Sequence, residues 1–456
     1  MTLKKILDGT MERRESFLQN LEQIKEKPKI YEILCDPIDN LLREVQKKVE
    51  GEDEVIKVII NTKAMEWVKD AEPFSRNLLV NATSSSGKDF VVRNTLDVFP
   101  KETWLKRTRI TPMALTYWHR ADKEPDWTWE GRSLYLEDIS DSVLNSDVFK
   151  VMASGGSHST IVINQVAVDI PIRGKPTLFV TTASGNPTAE MLNRFPIVKL
   201  NESIDQTEAI LKRQAKAAAL GRSLEYESSI AEALKHLKVV SVKIPFAEMC
   251  VKIVPKDNVI IRRSFPRLLD YIKASAALNQ VSREIDGDGD IIATGEDYDF
   301  AIGTITATTT NSKMVPIPKN QEKILDLFRD GKLNKGEPYF IEEIFAEVTW
   351  VSERSVRFFL NNLADLGFFK KETDHEGNPY KPKYKFTYIE QEKMTFPSFI
   401  ELQEKCRIPA ITSLASITSN TAITSKRGVI AEKGVIEVIA TGSGGTKPTI
   451  VEETIE

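Results

Sequence analysis

The residues best suited to chemistry lie in the segment Ala82-Thr-Ser-Ser-Ser-Gly-Lys-Asp89, which follows the short apolar run Asn77–Asn81. Small residues let consecutive backbone N–H groups turn toward one anion, Gly87 permits its close approach, and Lys88 can reach outer phosphates. A helical pattern begins at about Lys88, so the order of strand, loop and helix predicts a phosphate-binding loop. The alternative is a serine-rich turn that caps an ordinary helix. The predicted nucleotide-binding residues are Ala82, Thr83, Ser84, Ser85, Ser86, Gly87, Lys88 and Asp89.

This loop departs from the usual pattern G-x-x-x-x-G-K-S/T at both of its ends. Ala82 stands in place of the first glycine, and Asp89 stands in place of the hydroxyl residue that usually touches Mg²⁺. Asp89 could ligate the metal itself or hold it through a water molecule, since carboxylate oxygens suit Mg²⁺. We therefore expect ATP and Mg²⁺ as cofactors.

A pair of acidic residues follows a second apolar run about fifty residues later. Ser133–Leu136 reads as a strand, and Glu137 and Asp138 come directly after it. Hydrolysis of a nucleotide requires one acid near the Mg²⁺ shell and one acid that polarises the attacking water. By position, Glu137 would serve the metal and Asp138 the water. The alternative is a strand end that carries two solvated acids.

A third strand and the segment after it carry further polar candidates. The run Thr177–Thr182 ends in hydroxyls, and a polar side chain there would lie between the γ-phosphate and the acid pair. Thr182 is the first choice for this sensor and Asn186 the second. Arg194 is flanked by apolar residues, and such an arginine can reach the γ-phosphate of a neighbouring subunit. The alternative for Arg194 is a surface arginine paired with an acid.

Taken in order, these motifs resemble an AAA+ ATPase, and most closely the catalytic half of minichromosome-maintenance helicases and their relatives on mobile elements. The resemblance covers about residues 49–305 and implies that Arg194 is an arginine finger. It also implies a hairpin facing the pore of a ring, at Thr160–Asp169, with Arg173 and Lys175 near its base. The tip of this hairpin lacks the expected basic residue. The motifs that carry the resemblance are Gly51-Glu-Asp-Glu, the Ala82–Asp89 loop, Leu134-Tyr-Leu-Glu-Asp, Val180-Thr-Thr-Ala-Ser-Gly-Asn-Pro and Leu192-Asn-Arg-Phe-Pro.

In the same family a lid helix supplies a further arginine that senses the γ-phosphate. The matching segment, Ser264–Ala276, implies Arg267 for this role, with Arg262 and Arg263 as nearby substitutes. Residues 295–302 resemble the last lid helix of the family. Between these segments, Asp286-Gly-Asp-Gly-Asp290 has the spacing of a calcium loop but lacks its later glycine and glutamate, so we interpret it as a solvated turn.

The block 320–390 has three helical patterns followed by two strands around a polar turn, and it looks like a winged helix. In that family the third helix, here at 353–366, enters the major groove of DNA. A winged helix used for protein contacts is the alternative. The residues expected to face DNA bases are Arg354, Arg357, Asn361 and Asn362, and those expected to touch phosphates are Lys370, Lys371, Lys381, Lys383 and Lys385.

Composition narrows the class of protein. The formal net charge is −4, so nucleic-acid contacts must come from local patches instead of a generally basic surface. Cys35, Cys250 and Cys406 lie far apart, which argues against a zinc site and a disulfide framework and suits a reducing cytoplasm. No apolar run approaches the ~20 residues that a bilayer span needs. A cytoplasmic protein without membrane contact is therefore expected.

The predicted fold class is α/β, with an AAA+ three-layer P-loop NTPase core and helical lid followed by a winged-helix domain. We expect an ATPase that forms a ring-shaped homo-oligomer, a hexamer, and moves on DNA as a helicase in the replication of a mobile element or virus. Two alternatives are an AAA+ origin-binding initiator or loader with ATP as a switch, and a non-hydrolysing DNA-binding regulator. The predicted segments are an N-terminal helical segment (1–48), the core (49–202), the lid (203–305), a linker (306–319), the winged helix (320–390) and a partly disordered extension (391–456).

Overall fold

The computed structural model of this chain describes most residues before position 407. All described residues belong to one compact unit, Met1–Arg407. The predicted disordered tail beyond Cys406 lies outside them. The described ranges are 3–82, 85–118, 124, 126–155, 158–163, 165–182, 188–221, 226, 228–256, 261–309, 317–374, 383–390 and 395–406.

Within these ranges the strands form one larger sheet and three small ones. The strands are β1 (Asn77–Asn81), β2 (Trp104–Arg107), β3 (Ser133–Leu136), β4 (His158–Ile163), β5 (Val166–Pro171), β6 (Thr177–Thr182), β7 (Ile197–Val198), β8 (Val242–Lys243), β9 (Ile291–Ile292), β10 (Pro338–Phe340), β11 (Phe369–Asp374) and β12 (Lys383–Tyr388).

Helices occupy most of the remaining described chain. They are α1 (Leu3–Lys25), α2 (Pro28–Cys35), α3 (Pro37–Gln46), α4 (Asp53–Ala64), α5 (Lys88–Leu96), α6 (Ala114–Tyr117), α7 (Asp141–Leu144), α8 (Asp147–Ala153), α9 (Ala189–Leu192), α10 (Ile204–Leu220), α11 (Ser228–Leu234), α12 (Ala247–Cys250), α13 (Ile261–Leu278), α14 (Gly295–Thr308), α15 (Lys319–Arg329), α16 (Ile341–Ala346), α17 (Glu353–Asp365) and α18 (Phe399–Cys406). None of them combines the length and apolar character that crossing a bilayer requires.

The central sheet is parallel and has the strand order β2-β3-β6-β1-β7. In this order β6 lies between β1 and β3, and Asn81 at the end of β1 pairs with Thr182 at the end of β6. Because the strands are parallel, the residues that follow β1, β3 and β6 all emerge at the same edge of the sheet. The three chemically suited segments therefore converge, as predicted.

Apolar side chains cover both faces of this sheet. Tyr135 and Phe179 pack with Val91 and Val92 of α5 on one face. Their chain neighbours, such as Val180, belong to a separate apolar cluster on the other face. This alternation follows from the two-residue repeat of a strand, and burial on both faces is typical of parallel sheets. The mixed α/β core with a parallel sheet is confirmed.

The lid segment is mostly helical, and its last helix is longer than expected. Helix α14 continues to Thr308, whereas the sequence suggests a linker from residue 306. The hydroxyl groups of Thr304 and Thr308 donate to carbonyl oxygens four residues earlier, and Asn61 donates to Thr304 Oγ1 over 3.0 Å. These bonds satisfy threonines that composition alone assigns to a loop, so the predicted linker boundary is wrong by at least three residues.

The block after residue 316 contains helices α15, α16 and α17 and then the hairpin β11–β12, in the predicted order. A short additional strand, β10, pairs antiparallel with β12, which makes a three-stranded sheet of order β10-β12-β11. Helix α17 packs against this sheet, and its apolar side chains include the fully buried Leu360 and Leu363.

The first part of the C-terminal extension contains a helix, α18. Helix α18 packs against the lid, where the Phe399 ring lies 4.8 Å from that of Phe246 and 5.7 Å from that of Tyr298. The Tyr298 hydroxyl donates to the carbonyl oxygen of Pro397 over 3.0 Å. The partners of this helix are about 100 to 150 residues earlier in the chain, so local sequence patterns do not reveal them.

Candidate active site

The loop after β1 adopts conformations that few residues other than glycine favour. Ser85 and Gly87 both have positive φ, 67° and 87°, and Gly87 directly precedes α5, which begins at Lys88 as predicted. Ala82 is buried at the end of the strand. Thr83 and Ser84 lie outside the described residues. The positive φ values turn the chain tightly into the N-terminus of α5, where backbone N–H groups favour an anion.

Lys88 points its ammonium group at two carboxylates. Its side chain is buried, and Nζ lies 3.7 Å from Asp89 Oδ2 and 3.8 Å from Asp138 Oδ1. Asp89 follows β1 and Asp138 follows β3, so both emerge at the carboxyl edge of the sheet. The structure thus brings together the predicted phosphate-binding lysine and two of the three predicted acids.

Thr181 links these two acids. Its hydroxyl donates to Asp89 Oδ1 over 2.5 Å and accepts from the backbone N–H of Asp138 over 2.9 Å. The Tyr135 hydroxyl also donates to Asp89 Oδ1, over 3.0 Å. Burial, and then the nearby Asp89 carboxylate, raise the pKa of Tyr135, so this phenol keeps its proton and remains a donor. Asp89 is consequently held in place from two neighbouring strands.

The acids after β3 lie in different surroundings. Glu137 Oε1 accepts from Lys106 Nζ over 2.7 Å, and 19% of its side chain is exposed. Asp138 has 60% of its side chain exposed and a positive φ of 47°, which only a minority of non-glycine residues adopt. Glu137 is therefore fixed by a cation from β2, whereas Asp138 extends toward the space in front of Lys88.

Sequence reasoning missed Thr181, Tyr135 and Lys106. It favoured Thr182, the next residue on β6, which is buried like Thr181, while the second choice, Asn186, lies outside the described residues. The two-residue repeat of the strands contains the missing signal. Phe179 and Tyr135 face α5, so Thr181, two residues after Phe179, faces the same side as Asp89.

The two predicted arginines do not lie near the loop. Asn77, the first residue of β1, donates to the carbonyl oxygen of Arg194 over 3.1 Å, and Arg267 Nη2 donates to that of Asn193 over 3.1 Å. A strand advances by about 3.3 Å per residue, so the ends of β1 lie about 13 Å apart. Arg194 and Arg267 therefore sit at the amino edge of the sheet, opposite Lys88. Arg267, which the resemblance implies as a sensor of the γ-phosphate, therefore lies away from the phosphate-binding loop of its own chain.

These arginines belong to a cationic cluster of three guanidinium groups. Arg263 and Arg267 both lie 5.6 Å from the centre of the Phe74 ring. Arg267 contacts the carbonyl oxygen of the residue before Arg194, and burial, followed by the charge of Arg194, lowers the pKa of Arg263. Glu190 pairs with Arg194 over 2.9 Å and also with Lys150 over 3.2 Å. Positive groups thus outnumber the nearby acids Glu190 and Asp270.

A cavity of about 560 Å³ opens beside the phosphate-binding loop. Ser85, Ser86 and Gly87 form one end of it. Its volume is within the range of small-molecule sites, about 300–1,000 Å³. Apolar side chains of α5 and α10 form its walls, namely Phe90, Val91, Ile210 and Leu211.

Residues predicted to bind DNA mostly lie on the surface of the C-terminal block. Asn362 is the exception: its side chain is buried and donates to Gln321 Oε1 of α15 over 3.1 Å. A buried amide cannot contact DNA, so the prediction for Asn362 is wrong. Lys381 lies outside the described residues. The exposed candidates are Arg354, Arg357, Lys370, Lys371 and Lys383, and the partly exposed ones are Asn361 and Lys385.

Acidic neighbours reduce the positive charge of this surface. Arg357, Lys370, Lys383 and Lys385 each have a carboxylate within the ion-pair distance of 4.0 Å. Lys371 instead donates to Asn361 Oδ1 over 2.7 Å and lies over the Tyr384 ring.

The other predicted features have structural explanations. In the calcium-like turn, Lys243 Nζ contacts Asp286, Asp288 (2.8 Å) and Asp290 (3.3 Å). The ammonium group of a lysine therefore pairs with the carboxylates that would otherwise suit a calcium ion. Lys175 is buried and donates to Asn77 Oδ1 over 2.8 Å, which removes it from any surface.

The predicted hairpin is present as β4–β5, with the neighbouring Gln165 at a φ of 64°. Two of its apolar side chains, Val162 and Val166, are 73% and 61% exposed. Asn164 at its tip lies outside the described residues.

Comparison with known proteins supports the assignment of the loop. Residues 23–238 match the family model described as the MTBMA_p00010 P-loop domain, a span slightly shorter than half of the 456 residues. No curated protein matches the chain. The matched span contains the loop, the acids after β3 and all five strands of the central sheet. The chain therefore contains a P-loop domain of the nucleotide-binding NTPase type.

Proposed function

We propose that this protein is an AAA+ ATPase that assembles into a ring and uses ATP hydrolysis to translocate on DNA as a helicase. The observation that carries the proposal is the division of the candidate site between the two edges of one sheet. Lys88 and the acids lie at the carboxyl edge, and Arg194 and Arg267 lie at the amino edge. A subunit with this arrangement completes its catalytic centre with arginines from a neighbour.

At the carboxyl edge, the residues fit a triphosphate with Mg²⁺. The loop N–H groups and Lys88 would bind the phosphates, and the oxygen donors of Asp89 and Glu137 suit Mg²⁺. When bound, this ion neutralises phosphate charge. Asp138, exposed and directed toward Lys88, would orient and polarise the attacking water. Thr181 would keep Asp89 and the Asp138 backbone in register.

At the amino edge, Arg194 would act on the nucleotide of the adjacent subunit. The buried Arg267 would act through Arg194, because it donates to the carbonyl oxygen of the preceding residue, Asn193. Charge developing on the γ-phosphate is stabilised by a guanidinium group, which acts in trans in many nucleotide hydrolases. The cationic cluster around Phe74 supports this role because its three guanidinium groups outnumber two nearby acids, Glu190 and Asp270, and a phosphate could replace Glu190 beside Arg194. A head-to-tail contact of this kind closes into a ring, which we expect to be a hexamer.

For DNA, we propose that the C-terminal block is a winged helix and that α17 lies against the duplex. Three helices followed by a hairpin support this assignment. Arg354 and Arg357 are exposed on α17, and Lys371 on β11 lies beside Asn361. The acidic partners of the surrounding lysines limit its affinity to moderate values, as expected for a protein that moves along DNA.

The proposal is tested by steady-state ATP hydrolysis with no DNA, single-stranded DNA and duplex, followed by strand separation on a forked duplex. We expect turnover that single strands stimulate and unwinding that requires ATP. Slow turnover combined with sequence-specific duplex binding would instead identify an initiator or loader. Nucleotide binding without hydrolysis would identify a regulator and contradict the proposal.

The hydroxyl of Thr181 gives a prediction with an internal control. Replacing Thr181 by valine removes the bonds to Asp89 and to the Asp138 backbone, so we expect kcat to fall by about tenfold with little change in KM. Thr177→Val serves as the control, because Thr177 is buried at the far end of β6 and its hydroxyl has no hydrogen-bond partner in the described structure. Equal activity of the two variants would contradict the role of Thr181.

Adjacent asparagines on α17 give a second matched pair. Asn362→Ala leaves the buried Gln321 without its donor, so we expect the free energy of unfolding to fall by about 1–2 kcal/mol while duplex affinity stays unchanged. Asn361→Ala removes the hydrogen bond that holds Lys371 in position. It should weaken duplex binding by about 1 kcal/mol without changing stability. Chemical denaturation and fluorescence anisotropy measure the two effects. The reverse pattern would show that α17 does not face DNA.

A further inference from the structure

The cavity beside the phosphate-binding loop has one polar group that its neighbours do not neutralise. The residues that line it include apolar side chains of α5 and α10 together with Glu52 and Asn201. The Glu52 carboxylate accepts from the backbone N–H of Asn201, at 3.1 Å and 3.2 Å from its two oxygens. One donor shared by two oxygens leaves most of the hydrogen-bonding capacity of this group available to a ligand.

The other acids around this cavity have cationic partners. Glu50 pairs with Arg213 over 2.6 Å, and Glu202 pairs with Lys319. Among the described residues, Glu52 has no cation within ion-pair distance. The remaining charged groups near it are Lys48, which lies over the Tyr226 ring, and the acids Asp53 and Glu54.

The backbone holds Glu52 in an unusual conformation. Gly51 and Glu52 both have positive φ, 63° and 61°. The positive φ favours glycine at position 51, and a Cβ atom there would also displace the side-chain amide of Gln206, 2.6 Å away. Positive φ at a non-glycine residue costs free energy and is frequent at ligand-binding positions. The turn at Gly51 thereby presents Glu52 to the cavity at the start of α4.

We propose that the Glu52 carboxyl group contacts the edge of the bound base and sets which purine the site prefers. This inference rests on the nucleotide site proposed above and assigns its base-reading residue. The cavity is continuous with Ser85–Gly87, so a nucleotide with its phosphates on the loop would place its base between Phe90 and α10, beside Glu52. Apolar walls suit the faces of a purine, and one polar group at the edge suits its recognition.

The protonation state of Glu52 determines whether the site prefers adenine or guanine, because the two bases present different hydrogen-bonding groups. Adenine presents a ring nitrogen that accepts and an amino group that donates, which match a protonated carboxyl group. Guanine presents two neighbouring donors, which match an ionised carboxylate. Burial, and then the charges of Glu202, Asp53 and Glu54, outweigh the Asn201 hydrogen bond and raise the pKa of Glu52 to about 7. Adenine is thus preferred below this pH, and the preference declines above it.

The test measures dissociation constants of non-hydrolysable ATP and GTP analogues for the full chain by calorimetry, at about pH 6 and about pH 8. The ratio of the two constants cancels the titration of the phosphates, which both nucleotides share. We expect the preference for ATP over GTP to be about tenfold larger at the lower pH, since a bidentate contact discriminates bases by about that factor.

Three variants test whether the pH-dependent preference for ATP comes from Glu52. Glu52→Gln replaces the group with an amide that donates and accepts at every pH, so its ATP preference should be high and independent of pH. Glu52→Ala should show little preference at either pH. Glu208→Gln, which changes an exposed acid of α10 that neither lines the cavity nor contributes to the pKa of Glu52, should behave as the wild type. Thermal melting of each variant checks that the protein is folded.

The outcomes distinguish the two proposals. In one outcome, both nucleotides bind with a ratio of dissociation constants that is the same at the two pH values, or that changes equally in Glu52→Gln. Either result would overturn the role of Glu52 and leave the nucleotide site standing. Absence of binding by the folded wild type would overturn the nucleotide site and this inference together.

Discussion

Lys88→Ala is expected to reduce the rate of ATP hydrolysis by about 10² to 10³-fold, because the group that binds the phosphates would be lost. Nζ of Lys88 lies within 3.8 Å of carboxylate oxygens of both Asp89 and Asp138. Without it, the carboxylates of Asp89 and Asp138 would face the triphosphate without the cation that the loop supplies. Nucleotide affinity should therefore fall together with kcat, and a phosphate-release assay and equilibrium binding would measure the two losses.

A suitable control for this variant is Lys101→Ala. Lys101 is exposed after the end of α5, and its loss removes the same charge from the protein without touching the site. Both proteins should melt at nearly the same temperature. Hydrolysis by Lys88→Ala at the rate of Lys101→Ala would show that the loop does not carry the chemistry.

The order of segments along the sequence was sufficient to predict the phosphate-binding loop and the acids that follow β3. A strand, a run of small residues and a helix are contiguous between Asn77 and Leu96, and their geometry depends on neighbours in sequence. The same holds for Glu137 and Asp138, which follow β3 directly. Parallel strands then guarantee that such segments meet at one edge of the sheet, so the convergence was predictable without knowledge of the strand order.

Choices between adjacent residues were less predictable. Thr181 and Thr182 differ in which face of the sheet they occupy, and Asn361 and Asn362 differ in which face of α17 they occupy. A slip of one residue reverses the environment of a side chain on a strand. Such pairs can be separated from the sequence only when apolar neighbours define the buried face, as Phe179 does for Thr181.

Contacts between distant segments were not predictable from patterns. The position of Arg267 follows from the packing of α13 against the segments before β1 and β7, nearly two hundred and about seventy residues earlier. The order of α18 likewise depends on Phe246 and Tyr298. In both cases the energy comes from tertiary burial, which the local sequence does not encode.

The separation of Lys88 from Arg194 leads to the strongest test of a shared catalytic centre. Lys88→Ala lacks its own phosphate-binding lysine but still presents Arg194 at the amino edge, whereas Arg194→Ala keeps its own loop and presents no finger. Each variant alone should be nearly inactive. In a ring, however, the two variants can complement each other. An Arg194→Ala subunit supplies an intact loop, and a neighbouring Lys88→Ala subunit supplies an intact Arg194, so the site between them is complete.

An equal mixture of the two variants should therefore recover activity. With random assembly, about one quarter of the interfaces combine an intact loop with an intact arginine, so the mixture is expected to hydrolyse ATP at about a quarter of the wild-type rate. The same experiment with Lys88→Ala and Arg267→Ala tests whether Arg267 also acts on the neighbour. The subunits must be able to exchange during the experiment. If the mixtures are then no more active than the separate variants, the arginines do not serve a neighbouring site. Recovery would show that the two edges of the sheet belong to one catalytic centre, because no rearrangement within either variant can restore the missing side chain.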